Sequence, residues 1–86
     1  MSIPTTATAT EAFLGWTFLF YVGERNWDGI VMAKAEVAEH GNVVCSFTLA
    51  RRSTRAGAQD RLKEECVAWV TSAGNARLVD GSAGEL

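Results

Sequence analysis

Three arginines fall within five residues, Arg51, Arg52 and Arg55, at the start of a segment with helical periodicity. Guanidinium forks match phosphate geometry, and the free amides and dipole of a helix N-terminus favour anions. The cluster is therefore a candidate anion or nucleic-acid site. Arginines at a strand end also guard sheet edges against pairing, which is the competing reading. The other reactive side chains are sparse. Cys45 and Cys66 both fall at core-facing positions, where an apolar environment raises a thiol pKa and makes it inert. A Cys45–Cys66 bridge is geometrically conceivable, and reduced core thiols are the expected state. His40 is the one histidine and sits in a turn. The chain has no Cys-x-x-Cys and no second histidine to complete a zinc set. It also lacks a P-loop, a G-x-G-x-x-G and a G-x-S-x-G. Glu64 and Glu65 lie among Asp60, Arg61 and Lys63, the mixed pattern of a solvated helix face. The expectation is no catalytic residue, no metal ligand, no cofactor and no enzyme.

The elements that must position these groups centre on Ser53–Ala73. At about 100° per residue, Ala58, Leu62, Cys66, Trp69, Val70 and Ala73 share one arc of a helix. Val67 is the apolar exception on the opposite side. Ser53 or Thr54 can cap the start, and Gly74 can end the helix in the left-handed conformation. Gly15–Gly23 is dense in aromatic and branched residues and predicts a strand. Alternation places Trp16, Phe18, Phe20 and Val22 toward the helix, with Thr17, Leu19 and Tyr21 opposite. Ile30–Glu39 follows, with Val31, Ala33, Ala35 and Val37 inward and Met32, Lys34 and Glu36 outward. Val43–Arg51 puts Val43, Cys45, Phe47 and Leu49 inward, and Val44, Ser46, Thr48 and Ala50 outward.

These elements predict an α+β domain: a two-layer β-β-β-α unit in which a three-stranded antiparallel meander carries one C-terminal helix on one face. Its expected core is Trp16, Phe18, Phe20, Val31, Val37, Phe47, Leu49, Leu62, Trp69 and Val70. Residues 1–12, rich in threonine and alanine, are expected as a disordered tail. Residues 13–74 form the domain and residues 75–86 a second flexible tail. The chain has 86 residues and a net charge of −2, so no global field draws it to nucleic acid or acidic membranes. No apolar run approaches the ~18 residues of a membrane span. The first residues have no basic start or apolar core of a secretory signal, and a cytoplasmic location is expected.

A single helix leaves the other sheet face uncovered. There Leu19, Tyr21, Met32 and Val44 form a candidate apolar patch for a protein partner or a second copy. Trp27, in the turn Glu24–Gly29, has two readings. One is a lid over the edge of a small core; the other is an exposed anchor, since tryptophan is enriched at interface hot spots. The order of three strands and a helix resembles the C-terminal part of double-stranded-RNA-binding domains. The leading amphipathic helix and the lysine cluster of that family are absent. The helix ending Ala68-Trp69-Val70 after a meander is also similar to small bacterial proteins of unknown function. Neither resemblance carries over a functional residue. The leading expectation is a non-enzymatic protein-interaction module; the alternative is a weak nucleic-acid or phosphate binder using Arg51, Arg52 and Arg55.

Overall fold

The computed structural model describes residues 3–83, with side chains through Ala73. Strands β1 (Ala9–Phe13), β2 (Trp16–Val22), β3 (Ile30–Glu39) and β4 (Asn42–Arg52) pair antiparallel in chain order, and helix α1 (Arg55–Ala83) follows. The α+β class matches the expectation, but the sheet has four strands where three were expected. The extra strand comes from the segment read as a tail. In β1, Ala9 lies opposite Phe20, Glu11 opposite Phe18 and Phe13 opposite Trp16. Ala9 and Phe13 pack on the core, and the Phe13 and Phe18 rings stack at 5.7 Å. Thr8 extends the pairing: its N–H donates to Phe20 O at 2.7 Å, and its Oγ1 accepts from Val22 N at 3.1 Å.

Two tight turns lie at one end of the sheet. Leu14–Gly15 joins β1 to β2 with φ of 50° and 84°, and His40–Gly41 joins β3 to β4 with φ of 54° and 81°. Positive φ at both central residues is the type I′ signature, whose twist matches that of the flanking strands. Leucine is a poor choice for this conformation, because its Cβ crowds the following carbonyl.

Val37 pairs with Cys45 but Ala38 pairs with Val43, so β4 carries one extra residue in a bulge. An extra residue reverses the side-chain alternation beyond it. Val43, expected to face the core, instead lies opposite the outward Ala38 and is 53% exposed.

The closed face is wholly apolar at its centre. Phe18, Phe20, Val31, Ala33, Ala35 and Val37 from the sheet meet Ala58, Leu62, Cys66 and Val70 from α1. Phe47, Leu49 and Trp69 pack against this cluster while partly buried. The Trp69 indole meets Trp16 edge-on at 5.6 Å. Thr54 caps α1, its Oγ1 accepting from Gly57 N–H at 2.9 Å. The helix does not stop at Gly74 but continues to Ala83. An interior glycine costs about 1 kcal/mol against alanine, and Ala76, Arg77 and Leu78 beyond it are strong helix formers. Most of the expected C-terminal tail therefore lies in α1; residues 84–86 fall outside the described residues.

Candidate functional site

The connection from β2 to β3 is organised by Asn26. Its Oδ1 accepts from Asp28 N and Ile30 N, both at 2.9 Å. Its backbone N donates to Ile30 O and its carbonyl accepts from Gly29 N, again at 2.9 Å. An asparagine side chain that satisfies backbone amides two and four residues on fixes the turn locally. Gly29, at φ 81°, completes the reversal, and its carbonyl accepts from Ser53 N at 3.1 Å. That last bond ties the loop to the junction between β4 and α1. Trp27, held at the tip of this frame, is 92% exposed. At that exposure it is not a lid, and it is not among the residues packed against the core.

Arg25 and Arg52 approach each other at Gly29, two residues after Trp27. A Cβ placed on Gly29 would stand 3.3 Å from Arg25 Nη2 and 3.6 Å from Arg52 Cγ. The positive φ at Gly29 favours glycine, and the Arg25 guanidinium packs close over it. The loop thus carries an exposed indole at Trp27 and two arginines against Gly29. Residues 25 and 52 are too far apart in sequence for their meeting to be read from spacing. The one local signal was the Asp28-Gly29 turn pair.

The three arginines of the expected anion cluster separate. Arg55 Nε donates to Gly23 O at 3.1 Å and its Nη2 to Val22 O at 3.0 Å. These bonds tie the first turn of α1 to the end of β2, satisfying carbonyls that the strand leaves open. Arg51 pairs with the inward Val31 and Arg52 with Ile30, so successive side chains leave on opposite sheet faces. No convergent three-arginine site forms.

The uncovered face is polar at its centre. Tyr21 Oη donates to Glu36 Oε1 at 2.7 Å. Lys34 Nζ lies 3.6 Å from Glu36 Oε2 and 4.6 Å from the Tyr21 ring centroid. The hydrogen bond to Glu36, reinforced by desolvation and the nearby negative charge, raises the phenol pKa above its ordinary 10.0. In register, Leu19 faces Glu36, Tyr21 faces Lys34 and Met32 faces Ala50. Val44 sits in the bulge and is 46% exposed. Lys34 and Glu36 therefore stand between the members of the expected Leu19, Tyr21, Met32 and Val44 patch.

Cys66 is buried and Cys45 partly so, both as free thiols. Burial, with smaller contributions from Cys45 and Glu65, pushes the Cys66 thiol up to about 11. A thiol so disposed is a poor nucleophile at neutral pH. His40 is exposed in its turn. Among the described residues, no three His, Cys, Asp or Glu side chains gather in a metal-binding group. No described helix is long and apolar enough to cross a membrane. A shallow groove on the outer flank of α1 is lined by Asp60, Lys63, Glu64, Val67 and Ala68. It offers no nucleophile paired with a base. Comparison with family models, curated proteins and solved structures found no match.

Proposed function

We propose that this protein is a small, non-enzymatic, cytoplasmic interaction module whose principal contact is Trp27, on the loop where Arg25 and Arg52 approach Gly29. The observation that carries this reading is the 92% exposure of an indole on a loop fixed by bonds to Asn26. Exposing a large aromatic on a pre-ordered frame limits the entropy lost on binding. Tryptophan and arginine are the residue types that dominate measured hot spots. The partner is a protein with a pocket for the indole and an acidic rim for the two guanidinium groups. The uncovered sheet face serves as a secondary contact through Leu19, Tyr21 and Met32, with its ion-paired centre setting orientation rather than affinity.

The alternative of a nucleic-acid or phosphate binder loses Arg55 to the fold and must rely on Arg25 and Arg52. An exposed indole on a loop that also carries arginines is a stacking platform for a single strand as well, so one experiment separates the two. Tryptophan fluorescence of the wild type and of Trp27→Phe is followed during titration with a single-stranded oligonucleotide, a duplex and an acidic peptide, at low and physiological salt. A saturable response to the peptide that needs Trp27 is expected. A response to an oligonucleotide that falls steeply with salt would establish the alternative.

A further inference from the structure

The two edges of the sheet are protected very differently. β1 is five residues long and carries Glu11, whose Oε1 is held by Lys63 Nζ at 2.8 Å. Short length and a charge on the strand are recognised defences against edge pairing. β4 is eleven residues long, pairs only with β3, and contains no buried residue. Between Asn42 and Ala50 it has no charged residue and no proline. Its defences lie at its ends, the bulge opposite Val37 and Ala38 and the two arginines Arg51 and Arg52. The middle, Cys45–Ala50, offers an unguarded row of backbone donors and acceptors.

We propose that β4 pairs antiparallel with β4 of a second copy, joining two four-stranded sheets into one of eight strands. The inference is independent of Trp27. Three observations select a second copy as the occupant. The first is charge: an antiparallel two-fold pairing centred near Phe47 and Thr48 carries the two Arg51-Arg52 pairs to opposite ends, where each meets the uncharged start of the other strand. The second is the core. Cys45, Phe47 and Leu49 pack on the buried cluster yet remain partly exposed, because nothing lies beyond them. A second strand about 4.8 Å away completes their burial.

The third is the flank of α1. Lys63 reaches β1, which places Arg61 and Glu65 on the side of the helix toward β4. They form an ion pair at 3.2 Å. A two-fold axis sets these two flanks antiparallel, so the basic and acidic groups of one copy are offered to those of the other. Eleven residues at about 3.3 Å give a seam about 36 Å long, and one layer about 10 Å thick covers about 360 Å² per copy, about 720 Å² in total. The facing flanks of α1 supply the remainder that a specific interface of about 1,000 Å² needs.

The test is sedimentation equilibrium over a wide concentration range on three full-length proteins: wild type, S46K/T48K and S46E/T48E. Both positions are exposed on the uncovered face, and circular dichroism checks that each variant keeps the fold. The expected result is a wild-type dimer whose dissociation constant rises about ten-fold or more in each variant, since like charges opposite each other across a ladder repel. Mixing the lysine and glutamate variants is expected to restore a heterodimer. A wild type that stays monomeric overturns the proposal. So does a dimer indifferent to both variants, or one that mixing fails to restore.

Discussion

On the helix side of the sheet, Phe18, Phe20, Val31 and Val37 are removed from solvent, and among the described residues no polar side chain is buried. On the other side, the same strands present Leu19, Tyr21, Lys34 and Glu36 half-exposed, and the organising contacts are a phenol–carboxylate hydrogen bond and a cation over a ring. The first face gains its stability from apolar area, which is roughly proportional to what is removed from water and insensitive to direction. The second gains little from area and depends on geometry. Under the proposed function, binding specificity would belong to the face and loop where direction matters.

Adjacent residues allow the sharpest break of this comparison. Phe18→Ala empties the centre of the closed face and should lower stability by about 3–5 kcal/mol. Leu19→Ala, one residue away on the open face, should lower it by about 1 kcal/mol. Denaturant titration of both variants measures the difference. Equal losses would mean that the open face is covered in solution, for which a second chain would have to be sought.

The cysteines give a second contrast, read as reactivity. In the native monomer a thiol reagent should modify the partly buried Cys45 faster than the buried Cys66, which reacts only when the fold opens. Cys66 is also a source of alkaline destabilisation. Its thiol is raised from 9.0 to about 11, so the folded state favours the protonated form. That contribution is fully present below pH 9 and is lost as pH rises through 11. Cys66→Ala should flatten this part of the stability profile, at the expense of a smaller core side chain. Chevron or melting data that show the same alkaline slope in both proteins would rule Cys66 out as its origin.

The turn that brings β1 to the sheet is a point of strain. Leu14 has φ 50° and is 78% exposed, so it gains little from burial while occupying a left-handed conformation. Leu14→Gly should stabilise the protein by about 1 kcal/mol. If stability falls instead, the leucine side chain makes a contact in solution that outweighs its backbone strain.

How far these contrasts could be read from sequence depends on the range of the interaction. Strict alternation assigns Trp16 through Val22 and Val31 through Val37 to their faces, and the observed burial follows it. Of the ten expected core residues, seven lie in the buried cluster, and Phe47, Leu49 and Trp69 pack against it while partly buried. β1 escapes because Ala9, Glu11 and Phe13 put a carboxylate on the inward side, and only Lys63, 52 residues away, makes that acceptable. Val43 fails because a bulge has no signature in Asn42-Val43-Val44. The arginine cluster dissolves for a similar reason: proximity in sequence places Arg51, Arg52 and Arg55 together, while strand alternation and two backbone carbonyls pull them apart. Arg25 meets Arg52 through the Ser53–Gly29 hydrogen bond, a tertiary contact that no local pattern announces.

The smallest expected effect tests whether the open face is ordered at all. Tyr21 is the only tyrosine, so ultraviolet absorbance during an alkaline titration reports its phenol alone. The hydrogen bond it donates to Glu36 holds the proton on, and the pKa stands above 10.0. With a folded value above the unfolded one, the contribution to stability is present below pH 10 and disappears as pH rises through the folded pKa. Glu36→Gln removes the charge and weakens the acceptor, and should bring the phenol back toward its ordinary range. The stability change should be the smallest of the set, because a solvent-exposed pair is screened. A phenol that titrates identically in both proteins would mean that the Tyr21–Glu36 contact does not persist in water. The open face would then keep its alternating residues but not the fixed geometry on which a specific contact depends.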